Sequence, residues 1–409
     1  MDMRTYGCEW RSVLYGLMLL GLVACQNDDS LSKKDFLESQ ANSLFKDMPE
    51  IVIDKTSLSE SETIPETSDA SYGDYVESTQ FARTVYITYT DDDVLIEGDT
   101  KGNVRNSGAH VTVSSTASEF VSYVLSGSSE DGSFKIYSSR KFCLTLNGLN
   151  LSNPQGAAIN SQCGKTMYLI SADGTENTLA DGVEYTQTPR GEDEKGALFS
   201  EGQIVLSGTG ALNVLAKGKN GICSDDYIRI RPNTNVYVNA TKGHGIKAKD
   251  SLFINGGVIN VEASADGAKA MNCSGKTYIF GGRTTLVTTG STLIEGTDTT
   301  SCSALKSDGV LKITGGTLYA KSTGEGGKGI NCDQNILFMG GKLVAEALGE
   351  REFAAPKAVK SDEELIVSDG DFNAWSKNSK ACDEKDGVIN VEGLPAVNTQ
   401  LKYKVIISY

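Results

Sequence analysis

The stretch GIKAKDSLFINGGVINV, residues 245–261, contains three short alternating segments separated by turns. Ile246-Lys247-Ala248, Leu252-Phe253-Ile254 and Val258-Ile259-Asn260-Val261 each point alternate side chains to the same side, which is the period of a β-strand. Gly256-Gly257 falls where the chain must change direction and where a residue without Cβ reaches positive φ freely. Such a unit cannot stand alone. Five or six buried apolar side chains contribute roughly 1.5–3 kcal/mol each, while ordering roughly two dozen residues costs about 1–2 kcal/mol per residue.

The rest of the chain supplies neighbours. ALKSDGVLKITGGTLYA (304–320), GINCDQNILFMGGKLVA (329–345) and AVKSDEELIVSDGDFNA (358–374) repeat the same spacing. Residues 197–214 and 221–238 fit with one extra turn residue, 267–286 with a few more, and 158–179 extends the series to eight. A repeat of 22 to 26 residues built from strands predicts coils stacked one on the next. The predicted fold is all-β: a right-handed parallel β-helix of about eight or more coils with an N-terminal β cap. The hand follows from the near-universal right-handedness of parallel crossovers. Residues 81–155 provide the cap and first coils, and 156–409 the repeats, with Leu401–Tyr409 as a closing strand over the other open edge. Insertions near 183–195 and 290–302 read as surface loops.

The N-terminus reads as a targeting segment. Arg4 and Arg11 bracket the start of a short apolar run that ends at Leu22-Val23-Ala24-Cys25, so 1–24 is a signal peptide and Cys25 the lipidation site. The pattern resembles a bacterial lipobox, and Gln26-Asn27-Asp28-Asp29 resembles the surface-export tag of Bacteroidota-type lipoproteins. The expected location is the outer membrane, lipid-anchored and surface-exposed. Residues 25–80 then form an acidic tether, with thirteen Asp/Glu against four Lys between 26 and 80.

A formal charge of −15 argues against nucleic acid as a partner. Two histidines, His110 and His244, are too few and too far apart in sequence for a His-rich zinc site. Past Cys25 the cysteines are Cys143, Cys163, Cys223, Cys273, Cys302, Cys332 and Cys382, none in a C-x-x-C pair. They read as buried thiols, with one or two disulfides left open.

LTLNGLNLSN (144–153), GAAI (156–159), DGTENTLADG (173–182) and KGALFSEGQIVLSGTGALNV (195–214) follow one another in an order that resembles a carbohydrate-binding β-helix family. Members of that family bind cellulose and pectin, are similar to pectate lyases in fold, and bind calcium. The resemblance spans about residues 81–390. It implies polysaccharide binding, with acidic plant glycans as one ligand class and Ca²⁺ as an assisting ion.

Candidate site residues come from the repeat. The position after the first aliphatic holds Lys247, Lys269, Lys306 and Lys360, with Asn331 and Cys223 in two other coils. Stacked coils set such residues about 4.8 Å apart. Like charges at that distance repel, so a polyanionic chain along the row would stabilise it. Asp225, Asp308, Asp333 and Asp362, two residues further on, allow an exposed ion-pair lattice instead. With Asp266 these aspartates are also the calcium candidates. Trp375, Tyr227, Tyr237, Tyr278 and Tyr319 are the aromatics that could stack on sugars. The expected function is noncatalytic polysaccharide binding. A calcium-dependent lyase, with Lys269 or Lys306 as base, and a structural adhesin are the alternatives.

Overall fold

The computed structural model describes residues 45–59, 74–116, 118–186, 188–400 and 402–409. The signal peptide, Cys25 and the acidic residues that follow it lie outside the described residues. Strands stack in parallel into a β-helix of about eleven turns, and regular helix among the described residues is confined to one 3-10 turn at Val76–Ser78.

The coil quoted above folds as its alternation predicts, with strands Ile246–Ala248, Ser251–Ile254 and Val258–Ala263. They lie on three faces, called first, second and third here. The first face is a twelve-stranded sheet in which Leu198, Ile222, Ile246, Met271, Leu305, Ile330 and Val359 are successive partners, all buried. The second and third faces join in one sheet, because in three coils both strands run on as one: Phe142–Asn153, Ile336–Ala347 and Leu365–Ser376. Inward side chains from all three faces form one continuous core.

The corner between the second and third faces shows why glycine recurs there. Gly257, Gly282, Gly316, Gly341 and Gly370 have φ between 78° and 89°. Each backbone also lies on the one before it: a Cβ on Gly282 would meet the Gly257 carbonyl oxygen at 2.5 Å, and one on Gly341 would meet that of Gly316 at 2.4 Å. Any other residue is therefore both strained and obstructed.

Both ends are closed. Arg83–Thr90 pairs antiparallel with Asp93–Glu97 and parallel with Val121–Ser129, and Val104–Ser107 turns back on His110–Ser115. At the other end Lys404–Ser408 runs antiparallel to Leu365–Ser376. The seven cysteines are free and buried, and desolvation raises their thiols, to about 12 at Cys223.

The tether reading needs correction over its described part, which is docked against the solenoid as a strap. Phe45, Met48 and Ile51 pack on Val287, Tyr319, Val344 and Trp375 of the third face. Asp54 pairs with Arg283 at 3.3 Å, and Lys55 sits 3.5 Å above the Tyr237 ring. On the second face Asp74 pairs with Arg229, Glu77 with Arg231, and Val76 and Phe81 pack on the cluster of Cys143, Tyr168 and Val205. The described parts of the strap run from the last coils, where Phe45 packs on Trp375, towards the first, where Phe81 packs on the Tyr168 cluster.

Candidate functional site

The outward column of the first face runs Phe199, Cys223, Lys247, Asn272, Lys306, Asn331, Lys360, Asp383. Lys269 is not in it. Ala268-Lys269-Ala270 mimics Ile246-Lys247-Ala248 by eye, but a longer corner precedes this coil and the inward aliphatic is Met271, so Asn272 is the residue beside Lys247. The correction removes a difficulty. Lysine and asparagine alternate along the row, which separates successive ammonium groups by two steps, about 9–10 Å. The repulsion that would have called for a polyanion is thereby reduced.

Lys269 belongs to the column three residues earlier, where its partners in order are Ser303, Lys328 and Lys357. These lysines are buried. Lys269 Nζ donates to the Gly267 carbonyl at 2.6 Å and Lys328 Nζ to that of Gly326 at 2.9 Å. Each ammonium thus serves as an internal cation for the carbonyls of its own corner. Burial lowers the Lys269 pKa, and burial together with Lys360 and Lys357 lowers that of Lys328 to about 8. His244 accepts from the Lys269 backbone N–H through Nδ1 at 3.1 Å, and burial with its lysine neighbours lowers it to about 3, so the imidazole is neutral.

Two of the three remaining row lysines, Lys306 and Lys360, have carboxylate neighbours. Lys306 pairs with Asp308 at 3.0 Å and with Asp333, and Lys360 pairs with Asp362. The five candidate metal aspartates do not converge. Asp266 accepts from the Ser291 N–H at 2.7 Å, on a different corner from the rest. Among the described residues Asp225 is the one candidate that falls in a group of three acidic side chains: its carboxylate lies with those of Asp193 and Glu201 within 4.8 Å. Lys195 already bridges two of them, at 2.6 Å to Asp193 and 2.5 Å to Asp225. A calcium ion there would take the place of that ammonium.

Among the candidate aromatics, the strap takes all but one. Trp375 is fully buried beneath Phe45, Tyr319 contacts the Met48 cluster, Tyr237 lies under Lys55, and Tyr227 donates to Asp74. Tyr278 stacks between Phe253 and Phe280, at 5.2 and 6.1 Å with rings nearly parallel. Its faces are largely given to those neighbours.

The insertion at 183–195 closes the N-terminal end of the first face. Glu192 takes Lys135 and Tyr137, Glu194 accepts from the Ala157 N–H at 2.9 Å, and Lys195 lies over the Phe199 ring. Below it the row from Lys247 to Lys360 is half-buried and outward, and the strap contacts given above fall on the other two faces. The 290–302 insertion forms a small hairpin, Leu293–Glu295 with Asp298–Thr300, beside the Gly267 corner.

A family described as carbohydrate-binding domain-containing protein matches residues 107–399, and the chain belongs to it. The match begins in the hairpin that opens the first face and takes in every coil to the last. A carbohydrate-binding domain-containing protein of Acetivibrio thermocellus is 29% identical over 111 residues, which are 26% of this chain and 39% of that protein. The matched part thus spans about two fifths of that relative. A solved structure described as a polysaccharide lyase-like protein from C. thermocellum aligns over 76% of this chain and 98% of its own, with 20% identity and a TM-score of 0.41. Carbohydrate binding is the function that the description of this family carries.

Proposed function

We propose that the protein is a noncatalytic, lipid-anchored polysaccharide-binding protein of the outer membrane surface, and that it holds an extended acidic glycan along its first face. The observation that carries this reading is the row Lys247, Asn272, Lys306, Asn331, Lys360. It offers ammonium and amide groups at steps of about 4.8 Å on the face that the strap leaves bare. A linear chain can engage such a row coil after coil, trading Lys–Asp pairs of small individual worth for contacts with its own hydroxyls and carboxylates.

The lyase reading fares worse on the same geometry. Lys269 is buried against a carbonyl, and Lys306 lies between two carboxylates, so neither amine is presented as a free base. Calcium assistance stays in the proposal at one place, Asp193, Glu201 and Asp225, with Lys195 displaced. The test is a glycan array probed with the full chain in detergent. Retention of plant-type polysaccharides with no rise in ultraviolet absorbance on polygalacturonate supports the reading. Sustained formation of unsaturated product overturns it, and binding to host proteins in place of glycans makes the protein an adhesin. Affinity that falls on chelation supports the calcium site.

A further inference from the structure

The corner that leads from the first face to the second changes sign along the solenoid. In later coils it is mainly acidic, with Asp225-Asp226, Asp250, Asp308, Asp333 and Asp362 beside the single lysines Lys249 and Lys276. In two early coils it carries Arg140-Lys141 and Lys165. Phe142 pairs with Met167, so Arg140 stacks directly on Lys165, and Lys141 on Thr166. These residues, with Ser139 and Phe120, line a shallow depression of about 180 Å³, room for one monosaccharide unit.

Three cations gathered in one corner of a chain of net charge −15 require a cause. Elsewhere several buried or half-buried cations meet carboxylates, Arg83 with Glu119, Lys135 with Glu192, Arg229 with Asp74 and Arg283 with Asp54, while Lys269 and Lys328 are held by backbone carbonyls. Among the described residues, Arg140, Lys141 and Lys165 meet no carboxylate. Glu119, one step back along the column from Arg140, is engaged by Arg83. Lys141 is moreover held in place. Its Nζ donates to Thr79 Oγ1 at 2.8 Å and Tyr168 Oη at 3.1 Å, and it lies 5.1 Å from the Phe120 ring centroid. Both acceptors are neutral. The ammonium is positioned without being neutralised, which is how an anion site is kept ready.

We infer that Arg140, Lys141 and Lys165, with Phe120 as apolar wall and Ser139 and Thr166 as hydroxyl partners, form a subsite for one anionic sugar unit, bearing a carboxylate or a sulfate. The inference rests on the polysaccharide-binding reading and adds a second contact point, at the opposite end of the solenoid from Phe45. Arg140 presents a planar donor fork to a carboxylate or sulfate, and the two lysines add point charge. An acidic chain anchored here is repelled by the acidic corner below, so its path is turned towards the Lys–Asn row of the first face.

The experiment titrates the full chain in detergent with oligogalacturonate, a sulfated oligosaccharide and a neutral cello-oligosaccharide at two salt concentrations. The double variant Arg140→Gln/Lys165→Gln alters two exposed side chains, and Lys101→Gln/Lys217→Gln makes the same change in net charge elsewhere. Far-UV circular dichroism confirms folding of both. The expected result is a loss of roughly tenfold or more for one of the anionic probes, steepest at low salt, in the first variant alone. Which probe responds tells carboxylate from sulfate. Equal loss in both variants, or none in the first, overturns the subsite while leaving polysaccharide binding intact. Parent protein that binds none of the three probes overturns the polysaccharide reading itself. Loss seen on vesicles of anionic lipid and not on saccharides overturns the sugar assignment.

Discussion

The first and third faces are cut from the same coil, yet their outward rows have opposite characters. On the third face the outward positions include Tyr237, Tyr319, Val344 and Trp375, and Trp375 is fully buried. On the first face the equivalent positions are Lys247, Asn272, Lys306, Asn331 and Lys360. The difference is the strap. A face that points out of the solenoid becomes interior once residues 45–58 lie across it, and its residues are then chosen as core residues are. The bare face keeps charge and amide groups. Alternation therefore tells which side chains leave the core, and a distant segment decides which of them meet water.

The largest effect on this contrast is expected from Asp74→Asn. Arg229 is held with its side chain almost wholly buried, and Asp74 is equally enclosed and accepts from Tyr227 Oη as well. Removing the carboxylate takes a charged partner from a buried guanidinium, which costs up to about 3–5 kcal/mol. The midpoint of urea unfolding should fall accordingly, and residues 74–81 should lose hydrogen-exchange protection. A shift within error would mean that the strap is an ornament on the second face and that the comparison above is wrong.

Next comes Glu346, an outward residue of the third face that is fully buried. Neither carboxylate oxygen has a hydrogen-bond partner, and the charged group facing it is Lys321 at 3.9 Å. Burial raises its pKa to about 7, against a partial offset from Lys321. Because the folded-state pKa is raised, this group favours the folded state most at pH below about 4.5. That contribution is lost as pH climbs to about 7 and is gone above it. Glu346→Gln should therefore be close to neutral at pH 4.5 and stabilising by about 1–2 kcal/mol at pH 8, read as a difference in Tm between the two pH values. A pH-independent difference would show that the strap does not seal this carboxylate from water. Phe45→Ala is a gentler probe of the same cover. Losing a half-buried ring costs about 1 kcal/mol, and Trp375 emission should move to longer wavelength as its cover loosens.

How far the sequence reaches follows from the same contrast. The three strands of 245–261, the stacking of 304–320, 329–345 and 358–374, and the glycine corners were all legible, because each repeats with a short period. The strap was not. Its anchors are single residues in a polar, acidic stretch, and they bind partners up to 270 positions away, as Ile51 does at Lys321 and Asp54, over 206 positions, at Asn260. No periodicity announces such contacts. Tyr237, Tyr319 and Trp375 consequently read as surface aromatics open to a sugar when they are strap seats. Lys269 failed for another reason: a five-residue strand, Lys269–Cys273, hides its register behind a small-Lys-small motif. The basic corner was invisible because Arg140, Lys141 and Lys165 lie outside the lysine column of the first face, in turns that vary from coil to coil.

The smallest effect, and the sharpest test of the bare face, belongs to Lys306. Its ammonium lies between Asp308 and Asp333 with part of the side chain open to water. Exposed pairs of this kind are worth about 0–1 kcal/mol, less at high salt. Lys306→Gln should therefore leave Tm within a degree or two, since the row on either side is already amide, Asn272 above and Asn331 below. Glycan affinity should respond differently. A ligand lying along the row loses one charged contact out of three, so binding should weaken by a few-fold and the salt dependence should become shallower. The reverse outcome, clear destabilisation with unchanged affinity, would make Lys306 a stitch between coils, and the first face would then be bare without being a binding surface. Either result separates a row kept for its ligand from a row kept for its neighbours.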